Sequence, residues 1–162
     1  SISYKENFVE LAALMDFKSL NFTAAQVQAY HIVRDGLRKR VAEQYGVPAE
    51  SLHHDLTFFS HINASKEATT VHDEYWHLHT DSIQYETFEY TALLYLSTQH
   101  DDFEGGELVF GYAEDGSVAV EPRLGRLVAF TSGAENPHRV EKVKSGIRIT
   151  LTAGFTCNAA RA

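Results

Sequence analysis

Gly146-Ile147-Arg148-Ile149-Thr150-Leu151-Thr152-Ala153-Gly154-Phe155 is the most informative run in this 162-residue chain. Arg148, Thr150 and Thr152 alternate with Ile147, Ile149, Leu151 and Ala153, and a period of two is the mark of a strand with two unlike faces. An arginine inside such an apolar strand is costly unless a buried anion meets it. The planar guanidinium fork suits a carboxylate in a two-pronged way that lysine does not reproduce. The run therefore predicts a core strand whose polar face lines a small anion-holding pocket.

Working outward, similar short apolar or alternating runs cover residues 56–62, 88–97, 107–112, 118–121, 126–131, 138–143 and 147–157. Turn signals such as Glu104-Gly105-Gly106, Glu114-Asp115-Gly116 and Ser145-Gly146 separate them. The first third reads as helical. Residues 4–17 carry Phe8, Leu11, Ala12 and Met15 on one helical face. Thr23 followed by Gln26 opens a second helix with a capping box, and Gly46 and Pro48 close it. Strands after helices, with no helix between strands, predict an all-β core with N-terminal helices, as a double-stranded β-helix or jelly roll. One domain is expected over 1–162, with 1–50 as a helical brace and 51–162 as the core.

Hydrophobic residues make up 44% and charged residues 22%, an ordinary globular balance. A formal net charge of −8 gives no support to a nucleic-acid partner. A single cysteine, Cys157, excludes an internal disulfide and any cysteine-rich metal site. No apolar run reaches the roughly 18 residues of a membrane span.

Nine histidines in an acidic chain are unusual, and four patterns compete to hold a metal. His79-Thr80-Asp81 would place an imidazole and a carboxylate on one face of a strand. With His138 at a strand start much later, it makes the two-histidine, one-carboxylate set that suits Fe(II) and leaves three positions open. His72-Asp73-Glu74, His77 with His79, and His53-His54-Asp55 are the rivals. His31, His53, His54, His61 and His100 are expected on helix or loop surface without a metal role. Arg148, close downstream of His138, weighs toward the first pattern.

These blocks resemble the Fe(II)- and 2-oxoglutarate-dependent oxygenases of the prolyl-hydroxylase type. The resemblance rests on His79-x-Asp81, Asn136-Pro137-His138-x-Val140 and Gly146-x-Arg148-x-x-Leu151. Between them lie Tyr90-Thr91-x-x-x-Tyr95-Leu96, Gly105-Gly106-x-x-x-Phe110 and Pro122-x-x-Gly125-x-x-x-x-Phe130. The second half is also similar to the leprecan prolyl 3-hydroxylases. Leu108 stands where collagen-type prolyl 4-hydroxylases have threonine, and Arg148 where they have lysine. Both differences point away from a collagen 4-hydroxylase and leave the cofactors unchanged.

The resemblance implies Fe(II) held by His79, Asp81 and His138. It implies 2-oxoglutarate gripped by Arg148 with the Tyr95 hydroxyl and Thr152, O₂ as oxidant, and ascorbate as reductant. The implied reaction hydroxylates an unactivated C–H bond, as on a prolyl residue of a peptide or protein or on a small molecule, with release of succinate and CO₂. Tyr75, Trp76 and His77 would line the substrate mouth. The competing readings are a cupin-type metal enzyme using His77, His79 and His138 without a keto acid, and a catalytically silent jelly-roll binding module. The opening Ser1 fits a domain excised from a membrane-anchored protein. The sequons Asn21-Phe22-Thr23 and Asn63-Ala64-Ser65 tilt the expected localisation toward the secretory lumen.

Overall fold

The computed structural model describes residues 8–10, 22–69, 74–112 and 116–160. In chain order they form β1 (Phe8–Glu10), α1 (Ala24–Tyr45), a 3-10 turn (Ala49–Ser51), β2 (His53–Asn63), the one-turn helix α2 (Asp81–Gln84), β3 (Tyr90–Tyr95) and β4 (Phe103–Gly105). β5 (Leu108–Phe110), β6 (Val118–Val120), β7 (Leu127–Thr131), β8 (His138–Val140) and β9 (Val143–Thr156) follow. One sheet runs β1-β2-β9-β3-β7, with β4 also paired to β9, and a smaller sheet runs β6-β5-β8. All strand pairs are antiparallel. This is the double-stranded β-helix with its N-terminal helix.

β9 has the two faces its alternation predicts. Leu151, Ala153 and Phe155 are buried in one cluster with Leu37, Val41 and Ala42 of α1. Full burial of a side chain such as Val41 contributes roughly 1.5–3 kcal/mol. The helix begins where Thr23 caps it: the Gln26 N–H donates to Thr23 Oγ1, and Gln26 Oε1 accepts from the Thr23 N–H. Gly46, in the left-handed region, ends it. On the other face, Arg148, Thr150 and Thr152 point into the space between the two sheets. Gly146 has φ +75° where β9 passes β4, and a Cβ there would lie 2.1 Å from the Asp102 carbonyl oxygen. Only glycine permits that approach.

Three expectations are corrected. Phe8–Glu10 is a strand on the edge of β2, facing Phe58–Ser60, because open backbone groups on that edge outweigh a helical spacing of apolar residues. The rest of 4–17 lies outside the described residues, as do His72 and Asp73. The Glu104-Gly105 turn is part of β4, paired with β9. His53, His54 and His61 lie in β2 rather than in a loop or helix.

His54 is half-buried against Phe155, with ring centroids 5.1 Å apart. Burial, and then the charges of Arg34 and Arg38 against an opposing Asp35, pull its pKa from 6.5 to about 4. The unfolded chain then takes up the proton first, so the contribution is full above about pH 6.5 and is lost as pH falls toward 4. Allowing for partial exposure it is about 1–3 kcal/mol. Urea unfolding of His54→Phe across pH 4–7 is expected to show a flatter fall in stability than the parent. An equal slope would remove His54 as the cause.

Candidate metal centre and anion pocket

His79 and His138 meet through backbone pairing. The His79 N–H donates to the His138 carbonyl at 2.9 Å, and the His138 N–H returns the bond at 2.8 Å. Such a doubly bonded antiparallel pair puts both side chains on one face, and the ring centroids stand 4.5 Å apart. Asp81 arrives differently from its expected strand: Thr80 is extended, and Asp81 begins α2. That bend carries the carboxylate round to the two rings. Asp81 Oδ1 lies 3.5 Å from His138 Nε2 and 3.7 Å from His79 Nε2. One donor atom from each of the three residues falls within 4.8 Å of the others.

Each histidine has its far nitrogen occupied in the same way. His79 Nδ1 lies 2.9 Å from the His77 carbonyl, and His138 Nδ1 lies 3.0 Å from the Asn136 carbonyl. A carbonyl only accepts, so both Nδ1 atoms carry a hydrogen, and Nε2 is the ring atom each histidine turns toward Asp81 and would offer a metal. Burial holds the His79 pKa below its ordinary value, opposed by the bond to the His77 carbonyl and reinforced by His138. For Asp81, burial pushes upward but hydrogen bonding and charge from His138, with Thr91 also donating, bring the net pKa below the usual value. Two imidazoles with Nε2 turned toward the carboxylate oxygen of Asp81 are a donor set that fits Fe(II).

The same cavity, about 420 Å³, reaches down to Arg148. Arg148 is 1% exposed, its Nε donates to the Gly106 carbonyl at 2.9 Å, and burial works against its charge. Arg148 Nη2, Tyr95 OH and Thr150 Oγ1 are buried with no hydrogen-bond partner among the described residues. Arg148 Cζ stands 5.3 Å from the Tyr95 ring centroid, and Thr152 lines the cavity wall. Orphaned donors around a buried guanidinium fit the distal carboxylate of 2-oxoglutarate.

Among the described residues, the rival that pairs His77 with His79 comes apart in space. His77 is turned to Glu74, and it does not join the cluster of His79, Asp81 and His138. Tyr75 accepts from the Val143 N–H at 2.9 Å, and Lys142 Nζ lies 3.9 Å over the Trp76 ring. Tyr75 and His77 line the cavity with Glu74. Sequence reading missed the two carbonyl acceptors and Gly106, because backbone groups leave no mark in side-chain patterns.

Residues 53–155 match the 2OG-Fe(II) oxygenase superfamily. The chain belongs to that family. Its cofactors are Fe(II), 2-oxoglutarate and O₂, and this is a prolyl-hydroxylase-like 2-oxoglutarate-dependent dioxygenase domain. The human protein named 2-oxoglutarate and iron-dependent oxygenase domain-containing protein 3 is 46% identical over 160 residues, 98% of this chain and 50% of its own length. Human prolyl 3-hydroxylase 2 is 43% identical over 70 residues, 42% of this chain and 10% of that protein. A Pseudomonas putida prolyl-4-hydroxylase superposes with a TM-score of 0.57 at 26% identity, covering 84% of this chain and 67% of that one. The chain spans about half the length of the first of these relatives.

Arg148→Ala leaves the anion without its fork, at a cost of about 2–5 kcal/mol. Calorimetry is expected to show at least tenfold weaker 2-oxoglutarate binding, with Mn(II) affinity kept. Gly106→Ala tests the support beneath it: φ is +74°, and a Cβ would lie 2.9 Å from Arg148 Cδ. The variant is expected to raise the KM for 2-oxoglutarate and leave the metal site intact. An unchanged KM would detach Gly106 from the pocket.

Proposed function

We propose that the protein hydroxylates an unactivated C–H bond on a residue of a peptide or protein, with proline the leading candidate. One observation carries this reading. A buried guanidinium with an unpaired Nη2 forms the floor of the cavity on which two Nε2 atoms and a carboxylate oxygen converge.

When bound, Fe(II), 2-oxoglutarate and O₂ supply the oxidation: one oxygen atom enters the substrate as hydroxyl, the other enters succinate, and CO₂ leaves. The chain's own residues hold and exclude. His79, Asp81 and His138 hold the metal. Arg148 anchors the distal carboxylate, with Tyr95 and Thr152 beside it. Leu93, Leu108, Phe130 and Val140 line the same cavity and keep water from the reacting atoms. Glu74, Tyr75 and His77 are proposed to meet the substrate.

The names prolyl 3-hydroxylase 2 and prolyl-4-hydroxylase among the relatives support a prolyl residue. One oxygenase domain over 1–162, braced by α1 and reacting within 51–162, is the proposed unit. A setting in the secretory lumen is supported by the sequon Asn63-Ala64-Ser65, which runs from the half-buried end of β2 to the exposed Ser65, whose N–H donates to Asn63 Oδ1. No described helix is long and apolar enough to cross a membrane.

Purified protein with Fe(II), 2-oxoglutarate, ascorbate and a panel of proline-containing peptides is expected to form succinate. A chelator should abolish it, and one peptide should gain a single oxygen atom by mass spectrometry. His138→Ala is expected to fold and to form none. Succinate formation that survives both the chelator and His138→Ala would overturn the reading, whereas turnover with no oxidised peptide would overturn only the choice of substrate.

A further inference from the structure

Asp81 has two carboxylate oxygens, and they have different partners. Oδ1 faces the two histidines, whereas Oδ2 accepts from Thr91 Oγ1 at 2.6 Å. Thr91 Oγ1 lies 2.9 Å from Ser132 Oγ, and both hydroxyl residues are 1% exposed. An ionised carboxylate only accepts, so the Thr91 hydroxyl hydrogen points at Asp81, and Thr91 can then only accept from Ser132. The direction of the chain is therefore settled: Ser132 donates to Thr91, and Thr91 donates to Asp81.

Ser132 is itself held at both ends of its backbone. Its N–H donates to the Glu89 carbonyl at 3.0 Å, and its carbonyl accepts from the Ser82 N–H at 2.9 Å. Thr91 is set in β3, where it faces Phe130 of β7 and Gly154 of β9. The hydroxyl chain thus links the rigid large sheet to the single helical turn that carries Asp81.

We infer that Thr91, backed by Ser132, is a positioning residue for the metal. By occupying Oδ2 it presents Oδ1 alone to the ion. A carboxylate held to one oxygen occupies one coordination position and leaves the others for co-substrate and O₂, whereas a free carboxylate would rotate or bind through both oxygens. The inference rests on the reading of His79, Asp81 and His138 as the ligands.

The test is Mn(II) binding to the apoprotein, followed by calorimetry without 2-oxoglutarate or substrate. Thr91→Val keeps the shape and removes the donor; it is expected to weaken Mn(II) 10–100-fold. Thr91→Ser restores the hydroxyl and is expected to return affinity to within about threefold of the parent, by the same donor logic. Ser132→Ala removes the second donor and decides the matter if Thr91→Val fails to fold; it is expected to weaken Mn(II) measurably. Native affinity in folded Thr91→Val or in Ser132→Ala, or no rescue by serine, would overturn the inference. Failure of the parent itself to bind Mn(II), or binding unaffected by His138→Ala, would overturn the ligand reading with it.

Discussion

A guanidinium buried to 1% exposure is the constraint on which the rest of the molecule turns. Removing a cation from water costs several kcal/mol unless something of opposite charge meets it. Among the described residues, the Gly106 carbonyl meets Nε, and Nη2 has no hydrogen-bond partner beneath a cavity. A carboxylate entering that cavity regains much of what burial removed. A co-substrate with an acidic far end, as proposed for Arg148, would offset a penalty that is present in the folded state before any ligand arrives.

The same economy shapes the metal centre. Two candidate ligands far apart in the sequence become neighbours through one pair of backbone hydrogen bonds, so their spacing is controlled by sheet geometry rather than by side-chain packing. Their outer nitrogens are then occupied by carbonyls two residues earlier in each case. The third candidate ligand, Asp81, comes from a helical turn and is tied back to the sheet by Thr91. Two candidate ligands thus arrive from one backbone-paired bridge and the third from a helical turn, each with a separate hydrogen bond defining its orientation.

Much of this was legible in the sequence, for reasons particular residues make plain. β9 could be read because its two faces meet different surroundings, helix on one side and polar cavity on the other, so the period of two survives over a long run. α1 could be read because Thr23, Gln26 and Gly46 act locally on the helix ends. Residues 8–10 could not: Phe8, Leu11, Ala12 and Met15 satisfy a helical spacing, and only the edge of β2, a tertiary feature, makes Phe8–Glu10 a strand. His79-x-Asp81 was expected to converge as a strand pair, and the two side chains do converge, but through a helical turn at Asp81. Thr91 and Ser132 were silent, because a threonine in a strand looks the same whether it bonds a ligand carboxylate or merely fills space.

The division of β9 also explains why the fold carries a helix on its back. Its cavity face holds Arg148 Nη2 and Thr150 Oγ1 without hydrogen-bond partners among the described residues, which detracts from stability. Leu151, Ala153 and Phe155 on the reverse face, sealed by Leu37, Val41 and Ala42, offset that deficit within the same strand. Backbone pairing to β2 and β3 on either side keeps the two faces from exchanging, because a shift of one residue would turn Arg148 into the helix interface and Leu151 into the cavity. The register that protects the hydrophobic cluster is therefore the register that aims the guanidinium, and binding geometry and folding stability are carried by a single set of hydrogen bonds.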